Sequence, residues 1–67
     1  MWEKYDSVEA AWLAVGDVAL VDGKVIHITR LHHSFDLVHI DGYDDEWEEE
    51  FFIAIGSNES IPLLIPA

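Results

Sequence analysis

Six of the seven residues from Asp44 to Glu50 are carboxylates: Asp44, Asp45, Glu46, Glu48, Glu49 and Glu50, interrupted by Trp47 and followed by Phe51-Phe52-Ile53. Charge this dense cannot be core, because burying an unpaired carboxylate is too costly. It must form a solvated edge, a surface for a partner or an ion site. On an extended strand Glu46, Glu48 and Glu50 share a face, and their carboxylates repeat about every 6.8 Å, twice the antiparallel rise per residue. That repeat is of the order of the charge spacing along a nucleic-acid strand, which advances about 3.4 Å per nucleotide along the helix axis. A surface built this way fits the basic groove of a nucleic-acid-binding protein. The plainer reading is a solvated hairpin tip whose charge keeps a β-edge from aggregating.

Other residue types could also do chemistry. Tyr43, Trp47, Phe51 and Phe35 could line a cage with acids on its rim, which would hold a methylated lysine or arginine by cation–π attraction. Phe51 and Phe52 are neighbours on a strand, however, so at least one belongs to the core. Four histidines, His27, His32, His33 and His39, raise the question of a metal. Adjacent histidines on an extended chain point to opposite sides, so His32 and His33 cannot easily join one site. Asp41, Asp44 and Asp45 could offer oxygens to calcium, but their loop lacks the spacing of a calcium-binding loop. No metal and no cofactor is therefore expected. Histidines set among so many acids are expected to make stability or binding depend on pH.

Catalysis finds little footing. The chain has no cysteine, no Gly-x-Ser-x-Gly elbow, no phosphate-cradling glycine loop and no His-Glu-x-x-His. His33, Ser34 and Asp36 make a triad by composition only, since sequence neighbours on a strand cannot aim at one another. The expectation is a protein that is not an enzyme.

The elements that would position these residues are bounded by length. Sixty-seven residues make one domain, 1–67, and a chain of this size buries only about 60% of its unfolded surface. Without cysteines, disulfides and thiolate zinc sites are excluded as staples, leaving a compact core, with or without self-association. A 51% hydrophobic composition with three tryptophans argues against disorder despite a formal charge of −11. Residues 1–30 hold all three bases, Lys4, Lys24 and Arg30, against five acids, whereas 31–67 hold nine acids and no base. Phosphate backbones and anionic membranes need clustered Lys and Arg, so neither is an expected partner. No apolar run reaches the 18 or so residues of a membrane span and no signal pattern opens the chain, so a cytoplasmic location is the default.

Residues 6–15 carry a helical pattern, with Asp6 as N-cap, Glu9 completing a capping box, and Val8, Ala11, Trp12 and Val15 on one face. Gly16 would stop that helix. The period then changes to two, predicting strands at 17–21 and 24–31 around an Asp22-Gly23 turn, then 35–40, 48–55 and 60–65. Within the second strand we expect Ile26 and Ile28 to face inward and His27 and Thr29 outward. Asp41-Gly42 reads as a further turn. Pro62 and Pro66 cannot donate to a ladder, which predicts that the last strand lies at an edge. Five short strands with tight turns predict a mainly β, antiparallel, barrel-like domain with one short N-terminal α-helix.

The stretch Val15-Gly16-Asp17-Val18-Ala19-Leu20-Val21-Asp22-Gly23-Lys24-Val25-Ile26-His27-Ile28 resembles the opening hairpin of small Src-homology-3-like barrels of the Tudor and KOW kind. The resemblance covers about Val15 to Ile65. The chain departs from proline-rich-peptide binders in lacking Ala-Leu-Tyr-Asp-Tyr, and from ribosomal KOW domains in lacking basic loops. What the resemblance implies is a five-stranded barrel, with binding as the usual role and, for the Tudor type, an aromatic cage between loops. The acidic character is similar to that of small phage-encoded inhibitors that act as nucleic-acid mimics. The sequence thus predicts an acidic binder of a basic protein surface, such as a nucleic-acid-binding protein. Asp44, Asp45, Glu46, Glu48 and Glu50 would supply attraction, and Trp47 and Tyr43 an apolar anchor. Two alternatives stand beside it: a homo-oligomeric subunit associating through its last strand, with Ile61, Leu63, Leu64 and Ile65, and a cage reader of methylated Lys or Arg.

Overall fold

The computed structural model describes residues 1–67. Six strands form: β1 (Trp2–Glu9), β2 (Val18–Val21), β3 (Lys24–Ser34), β4 (Leu37–Asp44), β5 (Glu50–Gly56) and β6 (Ser60–Pro66). They make one antiparallel sheet in the order β1-β6-β2-β3-β4-β5. β1 and β5, the two ends of the sheet, share no ladder. The domain is therefore mainly β and small, with six strands where five were expected.

The β2–β3 hairpin follows directly from sequence. Asp22 and Gly23 both adopt positive φ, 52° and 75°, the conformation that matches a two-residue turn to the twist of its strands. That turn sets the register from Val18 opposite His27 to Val21 opposite Lys24. Ile26 and Ile28 are buried, the choice that keeps His27 and Thr29 outward, while Thr29 is exposed and His27 lies half-buried on the outer face. Beyond them the register with β4 shifts between Ile28 and Arg30. This bulge at Thr29 inverts the alternation, so Leu31 packs against the core although it is three residues from Ile28.

Asp41-Gly42 is not a turn. Gly42 lies within β4, opposite Ile28, and the two strands run so close there that a Cβ on Gly42 would sit 2.2 Å from the His27 carbonyl oxygen. The glycine is required by the bulge across from it rather than by a change of direction. As a result β4 continues to Asp44 instead of ending at residue 40.

The expected N-terminal helix is absent. Residues 2–9 are extended and pair with β6, from Trp2 opposite Pro66 to Glu9 opposite Ser60, with a register shift between Lys4 and Asp6. Only one 3-10 turn, Ala10–Trp12, remains of the helical pattern. A short helix has few internal bonds to offset nucleation, whereas an extended segment gains a full ladder. The buried residues also differ: Ala10 and Leu13 enter the core, while Trp12 stays 74% exposed and Val15 is exposed. Gly16 serves a turn, with φ of 99° and the Asp17 N–H donating to the Ala14 carbonyl.

The last strand is interior, not an edge. β6 lies between β1 and β2, so the predicted interface of Ile61, Leu63, Leu64 and Ile65 is largely inside the sheet, with Ile61 and Leu63 buried. Its prolines are accommodated because the ladder to β2 is reduced to one pair, Ala19 opposite Leu63. The core comprises Ala10, Leu13, Ala19, Val21, Ile26, Ile28, Val38, Ile40, Ile61 and Leu63. With only 11 of 67 residues buried, each core side chain carries a large share of the stability.

Candidate functional site

The acidic run forms the β4–β5 connection. β4 ends at Asp44 and β5 starts at Glu50, so Glu46 and Glu48 lie in the loop and only Glu50 is on a strand. The even carboxylate repeat expected of Glu46, Glu48 and Glu50 therefore does not form. Glu48 adopts φ of 55°, a left-handed conformation that closes the loop and breaks any extended run.

The loop is nonetheless tied down. Asp44 is 8% exposed, and its Oδ1 accepts hydrogen bonds from the backbone N–H groups of Glu46 at 2.7 Å and Trp47 at 3.1 Å. Its carbonyl accepts the Glu48 N–H at 2.8 Å, and its own N–H donates to the Glu49 carbonyl at 2.9 Å. The Asp45 N–H donates to the Val25 carbonyl, fastening the loop to the β2–β3 hairpin. Asp44 is thus the loop's internal cap, as short carboxylates are in turns, and its side chain is turned inward. Asp45, Glu46, Glu48, Glu49 and Glu50 are exposed, and Trp47 stands 69% exposed among them. None of the four glutamates lies within ion-pair distance of a lysine, arginine or histidine; the one contact of that kind joins His27 to Asp45. Trp47 borders an open groove with Met1, Lys24, Val25, Asp45 and Glu46.

Beside the loop lies a polar–aromatic cluster drawn from three distant segments. The His27 imidazole donates through Nε2 to Asp45 Oδ1 at 2.6 Å, and Trp2 donates its indole N–H to Asp45 Oδ2 at 2.8 Å. His27 also stacks on Tyr43, its cross-strand partner, at 4.7 Å and 5° between planes, while Trp2 meets the His27 ring edge-on at 5.4 Å. The His27 hydrogen bond and then that from Trp2 hold the Asp45 carboxyl below its usual value of 3.8, outweighing slight desolvation. Tyr43 is consequently fixed against His27 rather than free beside Trp47.

The other expected sites disperse. Phe35 is fully exposed in the β3–β4 turn, Phe51 packs against the core, and Tyr43 lies at the far end of β4 from Phe35, so no four-sided cage forms. His32 and His39 face one another across the ladder at 5.7 Å between rings, while His27 is committed to Asp45. No three His, Asp or Glu side chains converge as a metal site.

Sequence reasoning did not place Trp2 and His27 in the site. One signal existed, the cost of leaving a tryptophan near the terminus in solvent. The His27–Tyr43 stack could not be read, because its register depends on the Thr29 bulge.

No family model and no curated protein matches the chain. Among solved structures, its fold is similar to that of a translation initiation factor eif-5a family protein from Naegleria fowleri ATCC 30863. The match has a TM-score of 0.76 at 15% identity and covers 91% of this chain and 47% of that one. The chain therefore spans about half the length of that protein, and the likeness, at this identity, is one of fold alone: a small antiparallel barrel-like β domain.

Proposed function

We propose that this chain is a small, acidic, non-enzymatic binding module that docks on a basic protein surface through its Asp45–Glu50 loop. The observation that carries this reading is an ordered loop presenting four glutamates without ion-pair partners around a largely exposed tryptophan. Exposed charge of one sign steers a partner of opposite charge, and a tryptophan at the centre of a contact contributes much of its energy. Loop order matters because an already fixed segment loses less entropy on docking. Asp44 serves as scaffold, and Asp45 is shared between the loop and the Trp2–His27 cluster.

A nucleic-acid-binding protein is one such basic partner, and occlusion of its groove would make this chain an inhibitor of the phage type. In this form recognition rests on clustered charge and on Trp47, not on a strand-like repeat of carboxylates. A cytoplasmic setting goes with the reading; no helix is long and apolar enough to cross a membrane. The test is affinity capture from host lysate with the wild-type chain and a Glu46→Gln, Glu48→Gln, Glu50→Gln variant. The expected result is a basic protein retained by the former and lost by the latter. Equal capture by both would reduce the loop to a device for solubility.

A further inference from the structure

The two ends of the sheet are unequally protected. β1 carries Glu3, Lys4, Asp6 and Glu9 and a register shift, features that keep an edge from pairing with another chain. β5 reads Glu-Phe-Phe-Ile-Ala-Ile-Gly, with no charge after Glu50, no proline and no irregularity in its register. Its outer edge has no strand beside it.

The backbone groups on that edge can be assigned. Asp44 N–H bonds to the Glu49 carbonyl at one end of the β4–β5 ladder, and Ser57 N–H bonds to the Asp36 carbonyl at the other. Alternation between these bonds directs Phe51, Ile53 and Ile55 toward β4 and turns the N–H and C=O groups of Phe52 and Ala54 outward. Phe52 is also 66% exposed, and Phe51, Ile53 and Ile55 are only half-buried.

The geometry points to a second copy of this chain as the occupant of the edge: β5 pairs antiparallel with its own equivalent about a two-fold axis at Ile53. In this register Phe52 lies opposite Ala54 of the second copy, large against small on the outer face. Phe51 meets Ile55 and Ile53 meets Ile53 on the inner face. Outward groups then face outward groups, giving a pair of hydrogen bonds at each of the two Phe52–Ala54 matches, about four in all, with the outward groups of Glu50 and Gly56 placed to add more at the ends. Charge selects the same arrangement. Glu50 falls opposite Gly56 of the second copy, so the two Glu50 residues stand six residues apart along the ribbon, about 20 Å. That exceeds the screening length of about 8 Å at physiological salt, and the acidic loops lie at opposite ends. The contact is closed, because each copy has one such edge.

Each copy carries −11, so raising salt should strengthen this dimer, the reverse of its effect on a basic partner. Sedimentation velocity of the 67-residue chain at micromolar concentration provides the test, together with amide hydrogen exchange. The dimer dissociation constant is expected to fall at least about tenfold from about 0.05 M to about 1 M salt, where the screening length shrinks to about 3 Å. The Ala54 amide should be protected only at concentrations where the dimer forms. Phe52→Lys alters an exposed side chain and lowers the repulsion between copies, yet it should sediment as a monomer with an unchanged circular dichroism spectrum. A wild-type chain that stays monomeric at every salt concentration overturns the proposal. So does a Phe52→Lys chain that dimerises as well as wild type, or assembly into open-ended polymers.

Discussion

Replacing Asp44 by Ala tests whether the acidic loop is built or merely tethered. The substitution removes the acceptor of the Glu46 and Trp47 N–H groups, at 2.7 and 3.1 Å, while leaving both backbone bonds of residue 44 in place. Both freed N–H groups belong to exposed residues and can rehydrate, so the cost should match that of losing a helix-type cap, about 1–2 kcal/mol. With a urea m-value of about 1 kcal/mol/M for a domain this small, the unfolding midpoint should drop by about 1–2 M. The melting temperature should fall by about 4–16 °C. Asp44→Asn keeps an acceptor oxygen at the same place and should lose less than half as much. Binding should also weaken, although the missing carboxylate is a buried one, because docking must then order residues 45–48 at about 1 kcal/mol or more each. Urea melts followed by circular dichroism provide the measurement. Equal stability of wild type and Asp44→Ala, or equal loss in Asp44→Asn and Asp44→Ala, would refute the capping argument.

Three further outcomes follow from the same geometry. Gly42→Ala places a methyl 2.2 Å from the His27 carbonyl oxygen, a backbone atom that cannot rotate away, so thermal melts should show a loss of about 3 kcal/mol or more; a wild-type melting temperature would contradict the close approach. Ile40→Ala, at a fully buried site, should cost about 2–5 kcal/mol and leave the domain marginal or unfolded by circular dichroism at room temperature. Asp45 has a folded-state value depressed below 3.8, so its contribution is fully present above about pH 5 and is lost as pH falls through the lower folded value. Asp45→Asn should accordingly flatten the acid limb of melting temperature against pH below about 5, and parallel curves for variant and wild type would remove the Trp2–His27–Asp45 link.

Local signals in the sequence were reliable where one or two residues decide the backbone. Asp22-Gly23 fixed its hairpin because both positions need positive φ, while the facing of Ile26 and Ile28 follows from leaving the more polar His27 and Thr29 on the outer side. Long-range register was not legible. The Asp6–Glu9 capping pattern is a local preference, overridden by the ladder that residues 2–9 make with a strand near the other end of the chain. Gly42 looks like a turn residue until the Thr29 bulge opposite it is known. In the loop, composition located the charged surface and Trp47 but missed the inward turn of Asp44 and the left-handed Glu48, both products of closing the β4–β5 hairpin. Trp2 and His27 meet Asp45 only once β1 and β3 are in place, and nothing in their spacing announces it.

The salt dependence of affinity for the captured basic partner bears most directly on the proposed role, measured by calorimetry for the wild-type chain and the Glu46, Glu48, Glu50 triple glutamine variant. Attraction by an ordered anionic loop predicts that wild-type affinity falls at least about tenfold as ionic strength rises from about 0.01 M to about 0.15 M, with a clearly shallower fall for the variant. Affinity that holds constant across that range, or falls equally in both chains, contradicts it.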